Sequence, residues 1–171
     1  MNYFELFDMP MAPTVNKALL AEKYFALQKN SHPDFFSQAT EAEQEEALDL
    51  SADINKAFTI FRDDQKTIEY FLQVMGHIAA DEKYELDPAF LMEMMEMNET
   101  LMEVDEAEAR KRVADYEATL YDEISPILKD YQAGEQDAGK MELLKGYYYK
   151  KKYLRRILDR LADWCNIASR F

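Results

Sequence analysis

Apolar positions along the 171-residue chain recur mostly at steps of three and four, the period of a helix face, with turn-forming residues between such segments. Tyr3, Phe4, Leu6 and Phe7 predict a short first helix, with Asn2 and Glu5 at its start and Pro10 and Pro13 ending it. Thr14 is placed to cap a second helix that reaches about Ser31, with Leu20, Tyr24 and Leu27 on one stripe. His32-Pro33-Asp34 then interrupts, because proline disfavours helix for the residue before it and cannot continue the ladder. Thr40 and Glu43 have the spacing of a capping box. They predict a third helix to about Phe61 that buries Leu50, Ile54, Phe58 and Phe61. A short fourth helix, from about Gln65 to Met75, stops at Gly76.

Residues 77–86 are polar and read as a linker. Asp87-Pro88 is a strong helix start, an N-cap acid followed by proline at the first helical position. The fifth helix runs to about Glu103, and Asp105 with Glu108 begins a sixth that continues towards Tyr131. Pro126 lies inside it and is expected to kink or break it. Gly134 and Gly139 bracket the last turn. A long seventh helix follows, its inner stripe being Leu144, Tyr148, Leu154, Ile157, Leu158, Leu161, Trp164 and Ile167. The pattern is two helical units joined near residue 80, with no repeat and no low-complexity tract.

The fifth helix carries more apolar surface than one face can hold. At about 100° per residue, Phe90, Met94, Met97 and Leu101 make one core stripe. Leu91, Met95 and Met102 make a second about 100° away, bordered by Met92, Glu96, Glu99 and Glu103. Either a second neighbour covers this stripe, or it is an exposed apolar strip with an acidic rim, which marks a protein-binding face.

Composition narrows the classes. The formal net charge of −14 argues against wrapping nucleic acid or lying on an anionic membrane. No apolar run approaches a membrane span, and the start lacks the order of a signal peptide. Four glycines and five prolines are few for an all-β chain. The single Cys165 excludes an internal disulfide framework and a four-cysteine zinc site, and reads as a packing residue. Charge is uneven: residues 1–76 carry −7, 77–135 carry −12 and 136–171 carry +5. The basic end, with Lys150-Lys151-Lys152 and Arg155-Arg156, reads as a helix packed beside acidic ones.

Catalytic options are few. Neither His32 nor His77 follows a Glu by three residues, so the ligand spacing of a di-iron bundle is missing. There is no HExxH, no Gly-rich phosphate loop and no GxSxG elbow. No catalytic residue, metal site or cofactor is expected.

What remains is His32-Pro33-Asp34, held at the tip of a helical hairpin after a helix bearing Lys17, Lys23 and Lys29. A surface turn is one reading. The other is a recognition point, since a rigid tip loses little entropy when a partner engages it. Tyr3-Phe4-Glu5-Leu6, the basic helix, His32-Pro33-Asp34, Ile54-Asn55-Lys56-Ala57-Phe58 and Arg62-Asp63 together resemble a J domain of the DnaJ type. With the segment Ala89-Phe90-Leu91-Met92-Glu93, the whole chain resembles the HscB family, J-protein co-chaperones of iron–sulfur cluster biogenesis. It departs from the common J-domain pattern at Ser31 and Phe35, where an aromatic and a lysine are usual, and at Phe7-Asp8, where glycine is.

The resemblance implies an all-α, L-shaped protein: a J domain over 1–76, a linker over 77–86 and a C-terminal three-helix, scaffold-binding domain over 87–171. It implies that His32, Pro33 and Asp34, with Lys29 and Lys23, dock on the ATPase domain of a DnaK-like chaperone, HscA, and stimulate ATP hydrolysis there. Leu91, Met92, Met95, Glu96, Glu99 and Glu103, with Tyr153 on the last helix, would bind the iron–sulfur scaffold IscU. A J protein serving a different client is the alternative. Eukaryotic members of the family carry an amino-terminal cysteine-rich extension that is missing here, so a bacterial cytoplasmic member is expected.

Overall fold

The computed structural model describes residues 1–168, without the side chains of Pro33, Trp164, Cys165, Ile167 and Ala168. The inner-stripe positions expected at Trp164 and Ile167, and the packing role expected of Cys165, therefore lie outside the described side chains. The chain is all-helical among the described residues: α1 (Tyr3–Leu6), α2 (Lys17–Ser31), a 3-10 turn (Pro33–Phe36), α3 (Glu41–Phe61), α4 (Asp64–Val74), α5 (Pro88–Leu101), α6 (Glu106–Asp130) and α7 (Ala138–Ala168). None of these helices is long and apolar enough to cross a membrane.

Local chemistry sets most ends. Asn2 and Glu5 close a reciprocal capping box, at 3.0 and 2.9 Å. α2 is capped by Asn16 rather than Thr14, because the Asn16 carboxamide reaches the amides of both Ala18 and Leu19 whereas Thr14 lies in the bend before it. Asp63 accepts from the amide of Lys66 to start α4. At its end Gly76, with φ +76°, lets the His77 amide reach back to Leu72 at 2.9 Å and its own to Gln73 at 3.0 Å. Asp105 and Asp137 cap α6 and α7. Pro126 does not break α6, which runs on to Asp130. Its neighbours Ile124, Ile127 and Leu128 are buried and hold the last turns in place despite the missing donor.

The chain divides into two compact units, Met1–His77 with Tyr131–Gln136, and Ile78–Asp130 with the rest of the chain. The core of the first is aromatic. Phe61 meets Phe4 at 4.8 Å and Phe7 edge-on at 5.9 Å between ring centroids, and Tyr3 stacks on Tyr70 at 5.0 Å. Tyr131 packs edge-on against Phe71 in the same unit. Leu50, expected in this core, is 41% exposed, while Ala47 and Ala57 of the same helix are closed off. Phe4 of α1 and Tyr70 of α4 cover Phe61, and Leu50 lies about three turns earlier on α3, away from that cluster. Phe58 is half-buried, its ring stacked on Tyr24.

In the second unit Phe90, Met94 and Leu101 of α5 are buried with Val113, Leu120 and Ile124 of α6 and Leu144, Leu154 and Ile157 of α7. Residues 77–86 form no helix but are not free of structure. Within this unit the Glu82 carboxylate accepts from Lys145 Nζ at 2.5 Å and from Tyr149 Oη at 3.1 Å. Tyr84 stacks on Tyr149 with centroids 4.3 Å apart, so the segment is strapped along α7.

Candidate functional site

The His32 turn is built by its neighbours. The proline after it excludes helical backbone, and His32 takes φ −64° and ψ 128°. Buried Ser31 closes α2 by donating its hydroxyl to the Leu27 carbonyl at 2.8 Å. His32 Nδ1 accepts from the Asp34 amide at 3.3 Å and lies 3.5 Å from the Asp34 carboxylate. The Asp34 side chain is 87% exposed. On the return, the Glu43 carboxylate accepts from the amide and hydroxyl of Thr40, each at 2.8 Å, and the backbone bond first, then the hydroxyl, holds it below the usual carboxylate range.

The hairpin behind the tip is clamped. Tyr24 stacks on Phe58 at 4.1 Å, and Asn55 Oδ1 accepts from both Tyr24 Oη (3.0 Å) and Gln28 Nε2 (2.9 Å). Rigidity follows from α2 and α3 being joined by a ring contact and two hydrogen bonds within about one turn of each helix.

The lysines of α2 divide. Lys17 donates to the Phe61 carbonyl at 2.8 Å and pairs with Asp64 at 2.7 Å. Lys23, expected on the docking face, lies about 120° around the helix from Lys29. Its ammonium binds the carbonyl of Asp8 at 2.5 Å and its carboxylate at 2.9 Å. Asp8 has φ +48°, a left-handed position that aspartate tolerates better than most residues, and the Lys23 hydrogen bond lowers its pKa. Lys23 thus fastens the loop after α1, and exposed Lys29 is left beside the turn.

On α5 the apolar surplus is exposed. Met92 and Met95 are 64% and 65% exposed, Leu91 36% and Met102 63%, with Glu96, Glu99 and Glu103 open to solvent. The opposite side is tied down: Glu93 accepts from Tyr116 Oη at 2.6 Å, and burial, with that bond, pushes the Tyr116 phenol up. Glu103 follows the end of α5 at Leu101. Tyr153 is half-buried with its ring edge-on to Phe90 at 5.8 Å. Its ring contact is thus with the buried core stripe of α5, and part of the side chain stays open to solvent.

Sequence reasoning did not find the Glu82–Lys145–Tyr149 cluster, the clamp at Asn55 or the loop tie at Asp8. Partners 15 to 67 residues apart leave no local signal. Among the described residues no group of three or more His, Cys, Asp or Glu is placed to hold a metal ion.

Co-chaperone protein HscB of Proteus mirabilis is 30% identical over 172 residues, spanning 95% of this chain and 99% of the relative. The chain belongs to the HscB co-chaperone family. A family model described as the HSCB C-terminal oligomerisation domain matches residues 86–162. An HscB homologue of Vibrio cholerae is 40% identical over 105 residues, and there the chain spans 61% of the relative's length and of its own. The crystal structure of human HscB is similar with a TM-score of 0.76 and 29% identity, over 95% of this chain and 81% of the human one. HscB of Vibrio cholerae gives 0.58 at 30% identity, over 94% and 99%.

Proposed function

We propose that the chain stimulates the ATPase of an HscA-type chaperone through the His32-Pro33-Asp34 tip and delivers to it an IscU-type iron–sulfur scaffold held on the α5 strip. The reading is carried by one observation: the tip leaves His32 half exposed and Asp34 87% exposed on a clamped hairpin. An imidazole at His32, a carboxylate at Asp34 and a cation at Lys29 form a preformed polar constellation, so docking costs little conformational entropy. The chain itself performs no bond chemistry. It acts by binding one conformation of the chaperone better than another, and differential affinity is what shifts such an equilibrium.

Leu91, Met92 and Met95 supply apolar area to the scaffold, and methionines adapt to the partner's shape. Glu96, Glu99 and Glu103 suit basic groups on it, and Tyr153 offers an aromatic edge. Carrying both surfaces on one chain turns the second encounter into an intramolecular one and raises its effective concentration.

The test is the steady-state ATPase rate of purified HscA-type chaperone, with and without scaffold. Wild type accelerates it, and His32→Gln does not while still binding scaffold. Equal stimulation by both proteins would refute the proposal. Stimulation without scaffold binding would assign the same front half to a different client.

A further inference from the structure

Two phenylalanines break the rule that this chain buries that residue: Phe25 and Phe35 are each 70% exposed, whereas Phe4, Phe7, Phe61, Phe71 and Phe90 are at most 2%. Their placement is not scattered. At about 100° per residue, Phe25 lies about 40° from Lys29 and about 20° from His32 around α2, so the three share one face. Phe35 follows the tip, its ring edge-on to His32 with centroids 6.2 Å apart and its amide bonded to the His32 carbonyl. Each ring is steadied on one edge, Phe25 by Tyr24 at 5.9 Å. Tyr24 is in turn locked to Phe58 and Asn55.

Helix α2 is poor in charge that a partner could use. Lys17 and Lys23 are bound inside the unit. Glu22, exposed and about 20° from Lys29, offsets the positive charge of that lysine. A docking face steered mainly by a row of lysines is therefore not what α2 presents.

From this placement we infer that Phe25 and Phe35 are apolar anchors for the ATPase domain of the DnaK-like chaperone, flanking Lys29 and His32, and that apolar burial rather than charge carries the affinity. The inference rests on the docking reading above and deepens it. Aromatic residues, phenylalanine among them, are enriched at interface cores, and rings already oriented bury much area at small entropic cost. The partner surface must then offer an apolar recess beside the groups that meet His32 and Asp34. Selectivity among DnaK-like chaperones follows from which of them has that recess, since a chaperone with a polar surface there would leave its polar groups unpaired against two rings.

The experiment titrates the full-length chain into purified HscA-type chaperone and reads the concentration for half-maximal ATPase stimulation. Phe25→Ala with Phe35→Ala raises that concentration at least about tenfold. Phe25→Lys, which adds the charge that an electrostatic face would welcome, raises it too. For wild type, the value changes less than about threefold between about 50 and 500 mM salt, because apolar contact is not screened. Unchanged half-maximal concentrations in the alanine variant, or tighter docking by Phe25→Lys, overturn the inference. In that event, loss of stimulation by His32→Gln leaves the docking reading intact. Should His32→Gln stimulate like wild type, the docking reading itself falls, and the inference with it.

Discussion

Met92 and Met95 allow the α5 strip to be tested with little disturbance of the fold. Fully burying a methionine side chain is worth about 2 kcal/mol. Met92 is 64% exposed and Met95 65%. Docking therefore has about 1.3 kcal/mol per side chain still to gain, and truncating both forfeits about 2.6 kcal/mol. Alanine keeps a methyl group, so the expected loss of scaffold affinity is about 30- to 80-fold in Kd. The buried third of each side chain puts at most about 1.4 kcal/mol of stability at risk, partly offset by alanine's better helix propensity. The midpoint of thermal unfolding should fall by about 2–4 °C at most. Leu91 is less suitable, because it is 36% exposed and its truncation mixes packing with binding. The assay is calorimetric titration of purified IscU-type scaffold into wild type and Met92→Ala/Met95→Ala, with circular dichroism melts alongside. An affinity within about threefold of wild type, in a variant that melts normally, would refute the argument that this exposed strip is the scaffold face.

The stripe along α3 makes a stability prediction. Phe61→Ala, at a site with no exposure inside the aromatic cluster, should cost about 3–5 kcal/mol in chemical denaturation. Leu50→Ala, at 41% exposure, should cost less than about 1.5 kcal/mol, and equal costs would contradict the burial described. The strap on α7 makes a pH prediction. The Lys145 hydrogen bond holds the Glu82 carboxyl below its usual range. A group lowered in the folded state stabilises above its unfolded pKa and loses that contribution as pH falls through the folded one. Wild type should therefore exceed Glu82→Gln in stability at neutral pH, the gap closing below about pH 4. A gap that persists unchanged in acid would show that the ion pair is not its source.

Part of the candidate site was legible residue by residue. The His32-Pro33-Asp34 turn announces itself because proline acts on the residue beside it, and the Thr40–Glu43 box acts across three positions. The surplus stripe on α5 was visible as a surplus, since three apolar positions about 100° from a core face show up in the period alone. Whether that stripe was covered was not visible, and neither was the fate of the lysines. Lys23 and Lys29 look alike along the chain, yet one is spent on Asp8 and the other is open beside the turn.

The sequence by itself determined what depends on neighbours within about four positions: helical class, most helix ends, the turn at His32 and the excess of apolar residues on α5. Only the tertiary structure decided which of equivalent positions are used. It exposed Leu50 where the period expected burial, bound Glu82 to Lys145 within a segment that reads as a polar linker, and left Phe25 and Phe35 in solvent. The physical reason is range. A cap or a proline acts through bonds a few ångströms from its own backbone, whereas burial and ion pairing depend on which distant element arrives, and no local pattern records that.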